Sequence, residues 1–381
     1  MKKSKVALLT NMIAPYRIPL YSVLADQFDL LVLHGGREAN RDTWSKVEAL
    51  PNANVVRAWG WQIPRAKKLN GEVFDEKFIH LTPGFITHLL RFRPDALISG
   101  EMGFRSLIAL AYGTIFRKPV WIWWGGTLHS ERNIGPLREA LRQVFTLWAD
   151  HWVSYGQAAT EYLLRLGVKR NQILESQNAI DEERFKTSVE PAWSIEPRPV
   201  VLHVGQFIER KGVGALLDAA ANLQQRGCEF SLLLVGSGRE KRTLEHRAQA
   251  LGLKNVHFHP AQTPDRMPSV YRSADFLVFP TREDVWGLVA NEAVLSGLPV
   301  LCSKYAGCAP ELFEPENIFS PEDSNEFSQK LGAAISGRLS KADPSRLKTT
   351  EQLGCELVQE LNRFLPQIRS NKRSASETMT R

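Results

Sequence analysis

Asp284 and Glu292 stand eight residues apart in FPTREDVWGLVANEAVLSGLP, residues 279–299. The apolar run that ends at Phe279 reads as a buried strand, and Pro280 and Thr281 stop it. Beyond an acidic loop, Leu288, Val289, Ala293 and Val294 recur at helical spacing until Gly297 and Pro299 end the helix. Asp284 therefore belongs on the loop past a strand's carboxyl edge, and Glu292 on the following helix. In an open α/β sheet that edge is where ligands bind. The backbone N–H groups of Val285, Trp286, Gly287 and Leu288 lie between the two acids and point the same way. Carboxylates that accept from hydroxyls, beside amides that donate to oxygen, suit a sugar. Taken singly, a solvated helix face explains Glu292 and an N-cap explains Asp284 equally well.

The whole string carries more than either acid. Trp286-Gly287-Leu288-Val289, Asn291-Glu292-Ala293 and Ser296-Gly297-Leu298-Pro299-Val300 resemble the donor-site signature of retaining glycosyltransferases of family 4 (glycosyl transferases group 1), which have the GT-B fold. That signature has Glu, seven residues, Glu. Here the first acid is Asp284, shorter in reach by about 1.5 Å, with Glu283 beside it as the alternative. The resemblance implies Glu292 on a ribose diol, Asp284 on hydroxyls of the transferred sugar, and the amides of residues 285–288 on the same sugar. Residues 201–212, VLHVGQFIERKG, resemble the family's strand–loop–helix around Gly205. Lys211-Gly212 is retained there, while Gln206 replaces the family's arginine and Arg210 stands close by. By the same resemblance Lys211, helped by Gln206 or Arg210, stabilises the departing diphosphate. Gly236, in Val235-Gly236-Ser237-Gly238, resembles the next turn of the donor site.

Three further stretches are similar to family elements. Pro15-Tyr16-Arg17 resembles a first-turn variant, which implies Arg17 at the cleft edge on the acceptor or phosphate side. Matched through Pro119 and Gly126, the histidine that many relatives carry near the donor sugar falls at Gly125, and His129 is the neighbouring candidate for its role. A lone histidine is also commonly structural. Tyr305 to Leu312 resembles the last donor loop, in which Glu311 is a helix cap before it is a catalytic candidate.

The elements that must position these residues alternate. Strand-like runs at Val6–Thr10, Leu30–His34, Ala96–Ser99, Val120–Trp124 and Trp152–Tyr155 have helical patterns between several of them. The pattern restarts with Val200–Val204, Ser231–Val235, Val256–His259, Phe276–Phe279 and Val300–Cys302. Two doubly wound Rossmann-like α/β domains facing a cleft are expected: residues 1–184 for the acceptor and 199–349 for the donor. Residues 185–198 are the expected linker, 350–366 a terminal helix packing back toward the first domain, and 367–381 a disordered tail.

Composition narrows the class. At 381 residues, 43% hydrophobic and 23% charged, the chain suits a two-domain globular protein. Its four cysteines show no metal-ligand spacing, which points to a reducing compartment. No run reaches the roughly 20 apolar residues of a membrane span. Neither plausible turn carries a complete dinucleotide fingerprint, which excludes a nicotinamide or flavin reading. Residues 1–198 hold 26 Lys and Arg against 20 Asp and Glu, and nine of the ten tryptophans. That half suits an anionic lipid surface or an anionic substrate, and no motif supports nucleic acid. A helix at Leu137–Trp148 sets Arg138 and Arg142 beside apolar residues, which either meet lipid or pack on the sheet.

The expected activity is retaining transfer from a nucleotide-diphosphate sugar, a substrate rather than a cofactor, to a glycan or lipid-linked acceptor. No Asp-x-Asp triplet is present, so no metal site is expected, and no nucleophile stands out. The expected location is cytoplasmic, with the membrane's cytoplasmic face as a peripheral site. A GT-B sugar-nucleotide epimerase and a non-catalytic nucleotide-sugar-binding protein are the rival readings, kept open by Gly125 and Gln206.

Overall fold

A computed structural model describes residues 3–36, 50–69 and 72–365, with the backbone alone at 66–69, 72 and 75–77. The expected tail, and Lys2 in the basic N-terminal stretch, lie outside the described residues.

Fifteen strands are described. They are β1 Lys5–Thr10, β2 Asp29–His34, β3 Ala53–Arg57, β4 Trp61–Leu69, β5 Glu72–Leu81, β6 Ala96–Gly100, β7 Val120–Trp124, β8 His151–Tyr155, β9 Ile173–Ser176, β10 Val200–Val204, β11 Ser231–Val235, β12 Val256–His259, β13 Phe276–Phe279, β14 Val300–Ser303 and β15 Ile318–Phe319. Two parallel sheets result, ordered β3-β2-β1-β6-β7-β8-β9 and β12-β11-β10-β13-β14-β15. Each is covered on both faces, with one apolar cluster per face: Leu9, Phe85 and Trp152 against Leu24, Trp121 and Val153 in the first, and Leu277, Tyr271 and Trp286 against Leu217, Phe230 and Val278 in the second. The continuous apolar runs were legible because strands buried on both faces need no polar alternation. Three strands of the two sheets were not expected, all at sheet edges: β3 and β9 are half-exposed with mixed sequences, and β15 is only two residues long.

The hairpin β4–β5 was also not expected. Pro64 and several charges break its apolar pattern, yet its two strands pair antiparallel from Trp61↔Leu81 to Leu69↔Glu72. Its second strand reaches the second domain. Arg239 donates to the Val73 carbonyl, and the Arg282 guanidinium lies 5.9 Å over the ring of buried Phe74.

The segment expected as a linker is packed rather than free. Ala192 N–H donates to the Ser269 carbonyl, Trp193 N–H to Ser269's neighbour in the same helix end, Ser273 Oγ (3.0 Å), and Arg198 pairs with Asp275 at 2.6 Å. The last helix, Thr350–Phe364, starts at a capping box between Thr349 and Gln352. It buries Leu353, Leu357 and Leu361 against the first domain's helix Ile18–Gln27, in one cluster with Leu20, Tyr21 and Leu24. Gly354 permits the crossing, because a Cβ there would lie 2.6 Å from Val23 Cγ1. Gly354→Leu is expected to cost about 1–3 kcal/mol through overpacking, seen as a lower urea midpoint with little change in slope.

Candidate active site

In the second sheet the chain order reverses beside β10, whose neighbours are β11 and β13. A doubly wound sheet opens a crevice at such a point, outside the carboxyl ends of the strands. The loop after β10 carries Gly205, Gln206, Arg210 and Lys211, and the loop after β13 carries Glu283, Asp284 and Val285. Gly205 and Gly236 hold two neighbouring strand ends together, since a Cβ on Gly236 would lie 1.8 Å from the Gly205 carbonyl oxygen. Gln206 is half-buried, and its carbonyl accepts from Ile208 N–H at 3.0 Å.

Lys211 Nζ lies 2.6 Å from Asp284 Oδ2, and Arg210 Nη1 lies 3.8 Å from the same oxygen. Arg210 also donates to the Glu283 carbonyl at 2.8 Å. Burial pushes the Asp284 carboxyl up, but Lys211 and Arg210 outweigh it and hold it below the usual carboxylate range. The neighbouring acid faces elsewhere. Glu283 is buried, and its Oε2 lies 3.4 Å from Arg132 Nη1 of the first domain. Of the two adjacent acids, Asp284 is therefore the one set against Lys211.

The loop is held on its other side by a rung of backbone bonds. Asp284 N–H donates to the Tyr305 carbonyl (3.1 Å), Gly307 N–H to Asp284 (3.0 Å), and Cys308 N–H to Trp286 (3.1 Å). Gly287 has φ 108°, and a Cβ there would strike Phe279 Cε1 at 2.3 Å, so only glycine can start the helix Leu288–Leu295 at this point. Trp286 is buried and donates through Nε1 to Asn291 (2.9 Å), which in turn donates to the Asn178 carbonyl (2.9 Å). Val285 stays partly exposed beside it.

Glu292 sits apart from the Lys211–Asp284 pair. Its Oε2 accepts from Tyr271 Oη at 2.6 Å. Burial raises its carboxyl to about 7, against the opposing effect of the Tyr271 hydrogen bond. Tyr271 had no signal of its own in the sequence beyond an apolar helical pattern.

Across the cleft, Tyr155 accounts for two expectations. A Cβ on Gly125 would lie 2.4 Å from Tyr155 Cδ2, so the space a side chain at position 125 would need is filled by this ring. The Tyr155 hydroxyl accepts from Arg17 Nη2 at 2.6 Å, and the buried Arg17 guanidinium stacks 4.3 Å over Trp123. His129 joins the two domains. Its Nε2–H donates to the Arg282 carbonyl at 2.9 Å, and its ring stacks on Tyr305 with centroids 3.7 Å apart. Desolvation lowers the His129 pKa, the carbonyl bond opposing it. Glu311 does not cap its own helix but the first turn of the first domain's helix Gly156–Arg165. Its carboxylate accepts from Gln157 N–H of the first domain at 2.6 Å and from Gln177 Nε2 at 3.1 Å.

Residues 186–352 match the family model described as glycosyl transferases group 1. The match covers the second sheet, with the segments that carry Lys211, Asp284 and Glu292. D-inositol 3-phosphate glycosyltransferase of Nocardia farcinica is 33% identical over 206 residues, covering 50% of this chain and 46% of that protein. The lipopolysaccharide glucosyltransferase WaaG of Escherichia coli is 30% identical over 161 residues, covering 40% and 42%. The chain thus spans less than half the length of these two curated relatives. Over the whole length the likeness is one of fold. The crystal structure of Anabaena HepE in complex with UDP and glucose has TM-score 0.65 at 17% identity, covering 95% of both chains. That of WaaG has TM-score 0.62 at 17% identity, covering 93% of this chain and 99% of that one. The architecture is GT-B, two Rossmann-like domains, and the family-model match falls on the second.

Because His129 contributes one hydrogen bond and one ring stack between the domains, His129→Ala is expected to destabilise the protein by about 1–2 kcal/mol. Urea unfolding followed by tryptophan fluorescence measures it.

Proposed function

We propose that the protein is a retaining glycosyltransferase that moves a sugar from a nucleotide-diphosphate donor to a lipid-linked or polysaccharide acceptor. The observation that carries this reading is the Lys211–Asp284 contact at the sheet's switch point, with Glu292 on the helix that follows. Glu292 accepts from the two ribose hydroxyls. Lys211 and Arg210 face the diphosphate, and Asp284 accepts from hydroxyls of the transferred sugar. As the bond from the anomeric carbon to the diphosphate oxygen breaks, its electron pair leaves with that oxygen, and the nearby cations stabilise the growing charge. The acceptor hydroxyl adds to the same face of the anomeric carbon, and its proton passes to the departing phosphate oxygen. This front-face course needs no protein nucleophile and no metal. The relatives' names support the class of substrates: HepE holds UDP and glucose, and WaaG is named for lipopolysaccharide. We place the acceptor at the cytoplasmic face of a membrane, with the protein peripheral to it.

The pKa of Glu292 makes nucleotide affinity pH-dependent. Hydrogen bonds from ribose hydroxyls favour the carboxylate, so below pH 7 binding must first expel a proton. Affinity is expected to fall toward about tenfold per pH unit below that point. Glu292→Gln is expected to flatten this profile and, at pH 8, to bind at least about tenfold more weakly, having lost charged hydrogen bonds. Isothermal titration with UDP, GDP and ADP reads both effects. In the unliganded protein the sign is opposite: the raised carboxyl favours folding below the ordinary glutamate pKa, and this contribution is lost as pH rises through about 7.

Sugar release from UDP-, GDP- or ADP-sugars to acceptor is expected to continue in EDTA. It is expected to drop at least about a hundredfold in Asp284→Ala, with binding of the bare nucleotide diphosphate spared. A requirement for divalent metal, or the same loss in Glu283→Ala with Asp284→Ala active, counts against the roles assigned here.

A further inference from the structure

The helix Pro136–Trp148 is inverted for a soluble surface. Its inward side carries Phe145 and Arg142. The Arg142 guanidinium pairs with Glu131 at 3.0 Å, donates to the Met102 carbonyl at 2.8 Å and lies 4.4 Å over Trp124. Its outward side carries Leu137, Leu141, Val144, Leu147 and Trp148, with Leu137 77% and Leu147 87% exposed. These five residues therefore stay at the surface while Phe145 alone packs inward onto the sheet's core cluster, and Arg142 is not among the groups facing out.

The exposed apolar surface continues onto two neighbouring helices. Phe104–Phe116 turns out Ile115 and Phe116, and Gly84–Phe92 turns out Ile86 and Leu90. Inner residues of all three helices, Phe145, Tyr112 and Leu89 among them, belong to one cluster on one face of the first sheet. Their outer residues consequently share one layer. Trp148 Nε1 ties two of the helices by donating to Thr114 Oγ1 at 2.9 Å. An apolar surface this broad on one side of a domain marks an interaction site.

Charge selects the partner. Gly84–Phe92 and Phe104–Phe116 contain no acid, and Pro136–Trp148 contains only Glu139. Arg91, Arg93, Arg117 and Arg138 are all exposed around the layer. A second copy docking through the same face about a two-fold axis would set these arginines against themselves. Anionic lipid headgroups meet them, while the leucines and Trp148 enter the headgroup–acyl boundary. We propose that this three-helix face seats the protein on an anionic bilayer. The inference extends the proposed lipid-linked acceptor, but bilayer binding itself requires neither donor nor turnover.

The test is co-sedimentation of the full chain with vesicles of phosphatidylcholine, with and without phosphatidylglycerol. Wild type is expected to pellet with the anionic vesicles and weakly with the neutral ones, losing binding as salt rises. Leu141→Glu/Leu147→Glu is expected to bind anionic vesicles at least about tenfold more weakly, with its urea midpoint and nucleotide affinity unchanged. Should the double variant misfold, Leu147→Ser, at the most exposed position, is expected to weaken binding in the same direction. Wild type that stays in the supernatant with anionic vesicles, or a folded variant that pellets equally, overturns the proposal. So does a wild-type dimer in analytical ultracentrifugation that the variant abolishes, because the occupant is then a second copy. Bilayer binding without sugar transfer to any lipid-linked acceptor keeps the docking face and removes the acceptor reading.

Discussion

The contact between Lys211 and Asp284 is the constraint around which the donor side is arranged. The two residues are 73 positions apart in sequence, and they meet because β10 and β13 are adjacent parallel strands whose loops leave from the same edge. A carboxylate as buried as Asp284 must be compensated or it stays protonated. With cations on one side and the backbone rung to residues 305–308 on the other, the loop has little freedom. Its shape then passes outward through Trp286 and Asn291 to Asn178, and through Glu283 to Arg132.

The two carboxylates of the signature are held in opposite electrostatic states by their surroundings. Asp284 has Lys211 within hydrogen-bond distance and stays ionised. Glu292 has a tyrosine hydroxyl there instead, and burial raises its carboxyl to about 7. The same chemistry is thus poised differently eight residues apart.

The first domain contacts the donor loops directly rather than only facing them. His129 rests on Tyr305 and on the Arg282 carbonyl, and Gln157 N–H is bound by Glu311. A Cβ on Gly156 would lie 2.6 Å from the Trp286 ring. Displacing one domain therefore disturbs the loop that carries Asp284 through packed side chains.

The sequence by itself determined the two-sheet α/β architecture and which residues stand on the loop after β13 and the helix that follows it. Continuous apolar runs mark strands buried on both faces, and the WGLVANEA string places Asp284, Gly287 and Glu292 by local spacing. Edge strands β3 and β9 and the charged hairpin β4–β5 were not legible, because partial exposure removes the apolar signal that identifies a strand. The choice between Glu283 and Asp284 was open in the sequence, since adjacent acids differ only in which way a loop turns. Only the tertiary structure set one toward Lys211 and the other toward Arg132. It likewise filled the Gly125 space with Tyr155, made His129 a contact between domains, and turned Arg142 inward beneath the exposed leucines of its helix. Each of these depends on groups distant along the chain, and the direction of a side chain is decided by what packs against it rather than by its neighbours in sequence.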